Sequence, residues 1–268
     1  MRPPLDVDEF AAKAVEMIEE ARRRGVVLRI LGACAVYLHS LHEPDAVELA
    51  RSLGRFEAHN GTFKDVDLAA YGKQRKQVVE LLERGLGLES NPLFKMMYGH
   101  KRLIYVHPTL GFEVDVFFDK LEFNHDVPFG EGPGRGRLEL DYPTLPLADL
   151  LLSKLQIVRS TRGDLLDVAA ILRAHELCEG EDRECVDSRY VVSILSDDWG
   201  FWYDAVTNLK RARELLESRG LEEARAAISR IDELLDVLER APKTKRWVAR
   251  SKVGTSRPWF REVEELER

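Results

Sequence analysis

Residues 63–71 read FKDVDLAAY, and the two aspartates inside that run decide how the chain is organised. Side chains alternate faces along a strand, so Asp65 and Asp67 share one face while Val66 and Leu68 share the other. Carboxylates held side by side on a partly buried face repel each other and lose hydration. They need a cation between them, or a proton on one of them. A divalent cation is the usual answer, which makes the pair a candidate metal site. Asp-x-Asp also arises without a metal. The same spacing recurs at Asp6 and Asp8 in LDVDEF, which opens the helical text DEFAAKAVEMIEEARRRG, and there the acids are expected to serve capping and the helix dipole.

Working outward, the periodicity predicts a helix over Val7 to Arg24, a strand VVLRIL over Val26 to Leu31, and helical text from Ala33 through Leu53. Beyond KDVDLAA comes a helix, KQRKQVVELLERG, ending at Gly85. KRLIYVHPTLGFEVDVFF then supplies two strands joined by the turn at Pro108 to Gly111. FGEGPGRGR reads as a mobile glycine loop and RLELDY as a last short strand. The text after it is wholly helical. The segment EPDAVELARSLGRFEAHNGTF is expected to form an extra helix and loop, and Met96 and Met97 to be core. The expected fold is a small mixed-sheet α/β (α+β) domain over 1–145, followed by a helical domain over 146–268.

At 268 residues, with 44% apolar and 32% charged content, the chain can bury a sizeable core. Nothing approaches the roughly 18 consecutive apolar residues of a spanning helix, and MRPPLDVDEF lacks a signal peptide's apolar core, so a cytoplasmic location without membrane contact is expected. Cys34, Cys178 and Cys185 are odd in number and lack CxxC spacing, which argues for small core residues rather than disulfides or structural zinc. The histidines show no ligand spacing. The net charge of −7 disfavours wholesale coating of nucleic acid.

Three features carry chemistry. In LRILGACAVYLHS a strand runs into Gly32 and then a helix, where a ligand can approach the backbone and free N–H groups attract phosphate. Asp65 and Asp67 are the second feature. The third is Asp115, set between two valines in FEVDVFF, with Glu113 on its face. An unpaired carboxylate is costly there. A polar surface row is the plain alternative for these two.

In combination and order, these residues resemble the nucleotidyltransferase superfamily of the polymerase-β-like fold: a glycine turn, a later Asp-x-Asp strand, and a third acid on another strand. The helical continuation ADLLLSKLQIVRSTRGDLLDVAAIL resembles AbiEii-type toxin nucleotidyltransferases, with Lys154, Arg159, Asp164 and Asp167 at the matching positions. The resemblance covers about Val26 to Leu172. It implies that Asp65, Asp67 and Asp115 are catalytic and hold Mg²⁺, and that Gly32, Ala33 and Lys154 meet an NTP. Arg159, Asp164 and Asp167 would act in support. Nucleoside monophosphate would pass to a hydroxyl acceptor on RNA, protein or a small molecule. Ala33 departs from the family's serine or glycine, so a non-catalytic nucleotide or RNA binder on the same fold is the alternative. Asp164 reads equally as a helix N-cap, and Asp167 as a partner of Lys154 or Arg159.

Residues Pro242 to Arg261 carry seven Lys or Arg and no acid. Lys243, Lys245, Arg246, Arg250, Lys252 and Arg257 alternate there with Trp247, Trp259 and Phe260. Such a tail can hold RNA or dock on an acidic surface of the α/β domain. Docking is the expectation.

Overall fold

Helix α1 (Val7–Arg23) starts where Asp6 leaves helical geometry. The Asp6 carboxylate accepts the Glu9 N–H at 2.7 Å, and the Glu9 side chain accepts the Asp6 N–H at 3.2 Å. This reciprocal pairing satisfies two donors that a helix start leaves open. Asp8 accepts the Tyr37 hydroxyl. Both early acids are therefore structural, as their position in the sequence indicates.

The computed structural model describes residues 5–56, 63–92, 95–96, 99, 102–180, 182 and 184–263. The chain divides into two units: Met1–Leu41, Gly54–Leu121 and Pro128–Pro146 form one, and His42–Leu53, Glu122–Val127 and Leu147–Arg268 form the other. In the first, β1 (Leu28–Leu31), β2 (Asp65–Ala70), β3 (Glu89–Ser90), β4 (Arg102–Val106) and β5 (Glu113–Phe118) make a mixed sheet of order β1-β2-β5-β4-β3. Within this sheet β2 and β5 are parallel neighbours, and the β1–β2, β5–β4 and β4–β3 pairs are antiparallel. One face carries Leu28, Ile30, Val66, Leu68, Val114, Val116, Leu103 and Tyr105, all buried. Each such aliphatic side chain contributes about 1.5–3 kcal/mol on burial. The ring of Phe10 of α1 meets those of Phe63 at 5.4 Å and Phe112 at 5.2 Å, both tilted by 59°, and these are the residues that lead into β2 and β5.

The helical text after β1 is split in two. α2 (Gly32–Ser40) belongs to the first unit and α3 (Pro44–Ser52) to the second, because Pro44 cannot continue a helix but suits the start of one. Residues 57–62 of the expected loop lie outside the described residues. The 72–85 segment is a 3₁₀ turn, then α4 (Arg75–Glu80), then a π-helical turn ending at Gly85. RLELDY is not a strand. Its backbone turns, with the Leu140 N–H on the Arg137 carbonyl, while the Leu138 N–H is taken by the Tyr71 hydroxyl. The glycine loop before it closes on itself through a Gly130–Gly136 bridge and the Gly134 N–H on Glu139. Met96 is exposed rather than core, and Met97 lies outside the described residues.

The second unit holds α5 (Leu147–Leu155), α6 (Arg162–Ala174), α7 (Ser188–Leu195), α8 (Trp199–Glu217), α9 (Arg225–Arg240) and α10 (Lys245–Ser251). α6 packs against α3, α5, α8 and α9. The stretch from 175 to 187 is not helical. β6 (Glu176–Cys178) and β7 (Cys185–Asp187) pair in parallel, and Cys178 and Cys185, with Cα atoms 5.9 Å apart, form a disulfide. The expectation of three unpaired core cysteines thus holds only for buried Cys34. No helix among the described residues is long and apolar enough to cross a membrane.

The basic tail docks within this helical unit. Trp259 donates its indole N–H to the Asp204 carboxylate at 3.0 and 3.2 Å, and Asp204 also lies 2.7 Å from His125 Nε2. Trp247 meets Trp202 edge-on at 5.2 Å, Arg246 pairs with Asp197 at 3.1 Å, and Arg261 pairs with Glu122 and Asp126.

Candidate active site

The parallel register of β2 and β5 sets Asp67 beside Asp115 and Asp65 beside Glu113. Neighbours in register share a face, so four carboxylates stand together on the face opposite the apolar one. Asp65, Asp67 and Asp115 each offer a carboxylate oxygen, and these three atoms lie within 4.8 Å of one another. Asp65 and Asp67 are half-buried, whereas Asp115 is 1% exposed. The strand that raised the metal question therefore does bring its acids to a third one, contributed by a strand distant in sequence.

Gly32 adjoins this cluster. It sits at the β1–α2 junction with φ of 71°, a left-handed conformation that favours glycine. A Cβ there would stand 3.2 Å from Asp67 Cγ and closer still to one carboxylate oxygen. Asp67 can hold its rotamer only because residue 32 has no side chain. Leu31, at the N-cap of α2, provides no side-chain cap. Ala33 follows in the first turn and brings no hydroxyl of its own. Cys34, one residue further, is buried, and burial together with the nearby Asp67 charge pushes its thiol up to about 12. It stays protonated at neutral pH and is no nucleophile.

Sequence reasoning missed Arg102. On β4 it faces the same side as Asp115, offset by two residues, and its guanidinium pairs with the Asp115 carboxylate. It also lies 5.0 Å over the Phe117 ring. The signal was available in principle, because a buried Asp115 calls for a cation. The register that brings Arg102 to it was not.

The remaining expected residues lie in the second unit. Lys154 reaches Asp167 at 2.8 Å and Asp164 at 3.3 Å. Asp167 is fully buried, and Lys154, not Arg159, is the partner the structure gives it. Asp164 is not the N-cap of α6. That place belongs to Thr161, whose hydroxyl accepts the Asp164 N–H at 3.3 Å while Asp164 accepts the Thr161 N–H at 3.0 Å. Burial pushes the Asp164 carboxyl up, but Lys154 and the Thr161 donors outweigh it and hold it below the usual range. Arg159 is exposed in the α5–α6 turn.

No protein-family model matches this chain, and no curated protein matches it. A solved structure described as an antigenic nucleotidyltransferase-like protein from Paracoccidioides brasiliensis aligns over 90% of this chain and 97% of its own, at a TM-score of 0.42 and 15% sequence identity.

Proposed function

We propose that the chain is a metal-dependent nucleotidyltransferase that moves a nucleoside monophosphate from an NTP to a hydroxyl acceptor. The observation carrying this reading is the juxtaposition of Asp65, Asp67 and Asp115, within 4.8 Å, beside the Gly32 junction. An all-carboxylate donor set is hard and suits Mg²⁺ better than softer ions. Asp65, Asp67 and Asp115 would hold the ion, which supplies neutralisation of charge on a transferring phosphoryl group. The chain's own part is positioning. Gly32 keeps the backbone open beside Asp67, and the amides at the start of α2 are donors for phosphate oxygens. Ala33 contributes through its N–H alone. No covalent nucleophile is required in such chemistry.

A specific observation favours a second reading. Arg102 already places a positive charge on Asp115, which would let the fold keep its acids without a metal and bind a nucleotide without turning it over. Incubation with Mg²⁺ and each labelled NTP, with total RNA or cell extract as acceptor, separates the two. Transfer with pyrophosphate release supports the enzyme. Metal-dependent NTP binding without release supports the binder, and absence of both overturns the proposal.

A further inference from the structure

We infer that the helical unit contains a second metal site, of different chemistry, formed by His42, His175 and Glu184 and suited to Zn²⁺. The three residues come from separate stretches of that unit. His42 immediately precedes the α3 N-cap, His175 is the C-cap of α6, and Glu184 leads into β7 inside the loop closed by the Cys178–Cys185 disulfide. One donor atom from each lies within 4.8 Å of the others. The two imidazoles are 4.8 Å apart between centroids, and His42 Nε2 stands 3.9 Å from a Glu184 carboxylate oxygen.

The orientation of His175 supports a ligand role. Its Nδ1 lies 3.0 Å from the Glu184 backbone carbonyl. A carbonyl oxygen only accepts, so a proton on Nδ1 fits this contact. A histidine whose second nitrogen is fixed on a carbonyl is the arrangement found behind metal-bound imidazoles, because it sets tautomer and ring direction. His175 is 1% exposed, so its ring is held by packing. The neighbouring backbone is fixed as well. Arg173, two residues before His175, pairs with Asp45 at 2.8 Å and Glu43 at 3.7 Å, clamping the start of α3 to the end of α6. His42 and Glu184 have 48% and 77% exposed side chains, which gives an ion a route in.

Two imidazoles and one carboxylate form a borderline donor set, unlike the all-oxygen cluster on the sheet, and imidazole suits zinc where carboxylates alone suit magnesium. Three protein ligands leave a fourth position to water. A bound ion would tie α3, the end of α6 and the disulfide loop together at one point.

The test uses the full chain carrying Asp67→Asn, in excess Mg²⁺, so that zinc captured by the acidic cluster is not counted. Zinc alone is titrated by calorimetry, and metal content is measured after dialysis. One Zn²⁺ per chain is expected. His42→Ala and Glu184→Gln should each weaken it by about tenfold or more. Both side chains are largely exposed, so both variants should fold, as circular dichroism would verify, whereas His175→Ala risks the core. No zinc uptake in the parent, or unchanged affinity in both variants, overturns the inference. Tighter retention of Fe²⁺ than Zn²⁺ would overturn the assignment to zinc.

Discussion

Arg102→Met is the most informative single change, because it separates the two ways of neutralising the acidic cluster. Methionine keeps the length and the contact with Phe117 but removes the charge paired with Asp115. Breaking a buried pair by deleting one partner costs about 3–5 kcal/mol. Two effects lower that figure here. The Arg102 side chain is 22% exposed, so part of its charge is already screened. A carboxyl can also escape by taking up a proton, at a cost of about 4 kcal/mol at pH 7 for an ordinary aspartate. The expected loss is thus about 2–4 kcal/mol. At about 2–4 °C per kcal/mol for chains of this size, the melting temperature should fall by roughly 5–15 °C.

If the cluster is a metal site, Mg²⁺ should return most of that loss. A ligand at 100 times its dissociation constant stabilises by about 2.7 kcal/mol, close to the penalty. The wild-type chain should gain less, because there the ion competes with Arg102 for Asp115. Thermal melts of both proteins with and without Mg²⁺ give the comparison. An equal Mg²⁺ shift in the two proteins, or none in the variant, would refute the claim that Arg102 and a divalent ion answer the same electrostatic demand.

Asp67→Asn should abolish nucleotidyl transfer while leaving melting temperature unchanged or higher, since it removes a repelling charge; full turnover by the purified variant would sink the catalytic assignment. Gly32→Ala should cost about 1–2 kcal/mol for the left-handed backbone and also displace Asp67, so Mg²⁺ affinity should fall in calorimetry, and unchanged affinity would show that the close approach is incidental. Asp164 has a lowered carboxyl pKa, so it contributes stability above its unfolded pKa of about 3.9 that is lost as pH falls further. Urea midpoints between pH 2 and 6 should accordingly drop less steeply below about pH 4 in Asp164→Ala, and parallel curves would contradict the pairing with Lys154. Trp259→Phe should cost about 1–2 kcal/mol by removing a hydrogen bond to the Asp204 carboxylate; a variant with wild-type melting would mean that the tail is not anchored there.

Where a segment repeats its pattern over several turns or alternates cleanly, the sequence was a sufficient guide. α1 was legible from its capping acids and apolar stripe, and β2 and β5 from their buried valines and leucines. The misreadings fall where tertiary partners override local text. RLELDY alternates like a strand, yet its Leu138 N–H is claimed by Tyr71, 67 residues away. The 175–187 stretch has too few residues per element for periodicity to speak, so the short β6–β7 pairing was invisible and the disulfide with it. The same applies to His42 and His175, 133 positions apart and meaningless as a spacing until α3 packs on α6.

The acidic cluster shows a finer limit. Two aspartates on one strand face state a demand for positive charge, and that demand is a local property readable from nine residues. The supplier is not local. Arg102 reaches Asp115 because β4 and β5 are joined by a turn in which the His107 N–H bonds the Phe112 carbonyl at 2.9 Å and the Gly111 N–H bonds the His107 carbonyl at 2.8 Å, with Gly111 at φ of 75°. A slip of one residue in that register would turn Arg102 to the apolar face and Leu103 towards Asp115. The turn residues therefore decide whether the buried acid meets a guanidinium or must rely on an ion from solution. Lengthening the 107–112 turn by one residue would be a harsher version of Arg102→Met, and its penalty should be recovered by Mg²⁺ only to the extent that Asp115 still stands beside Asp67.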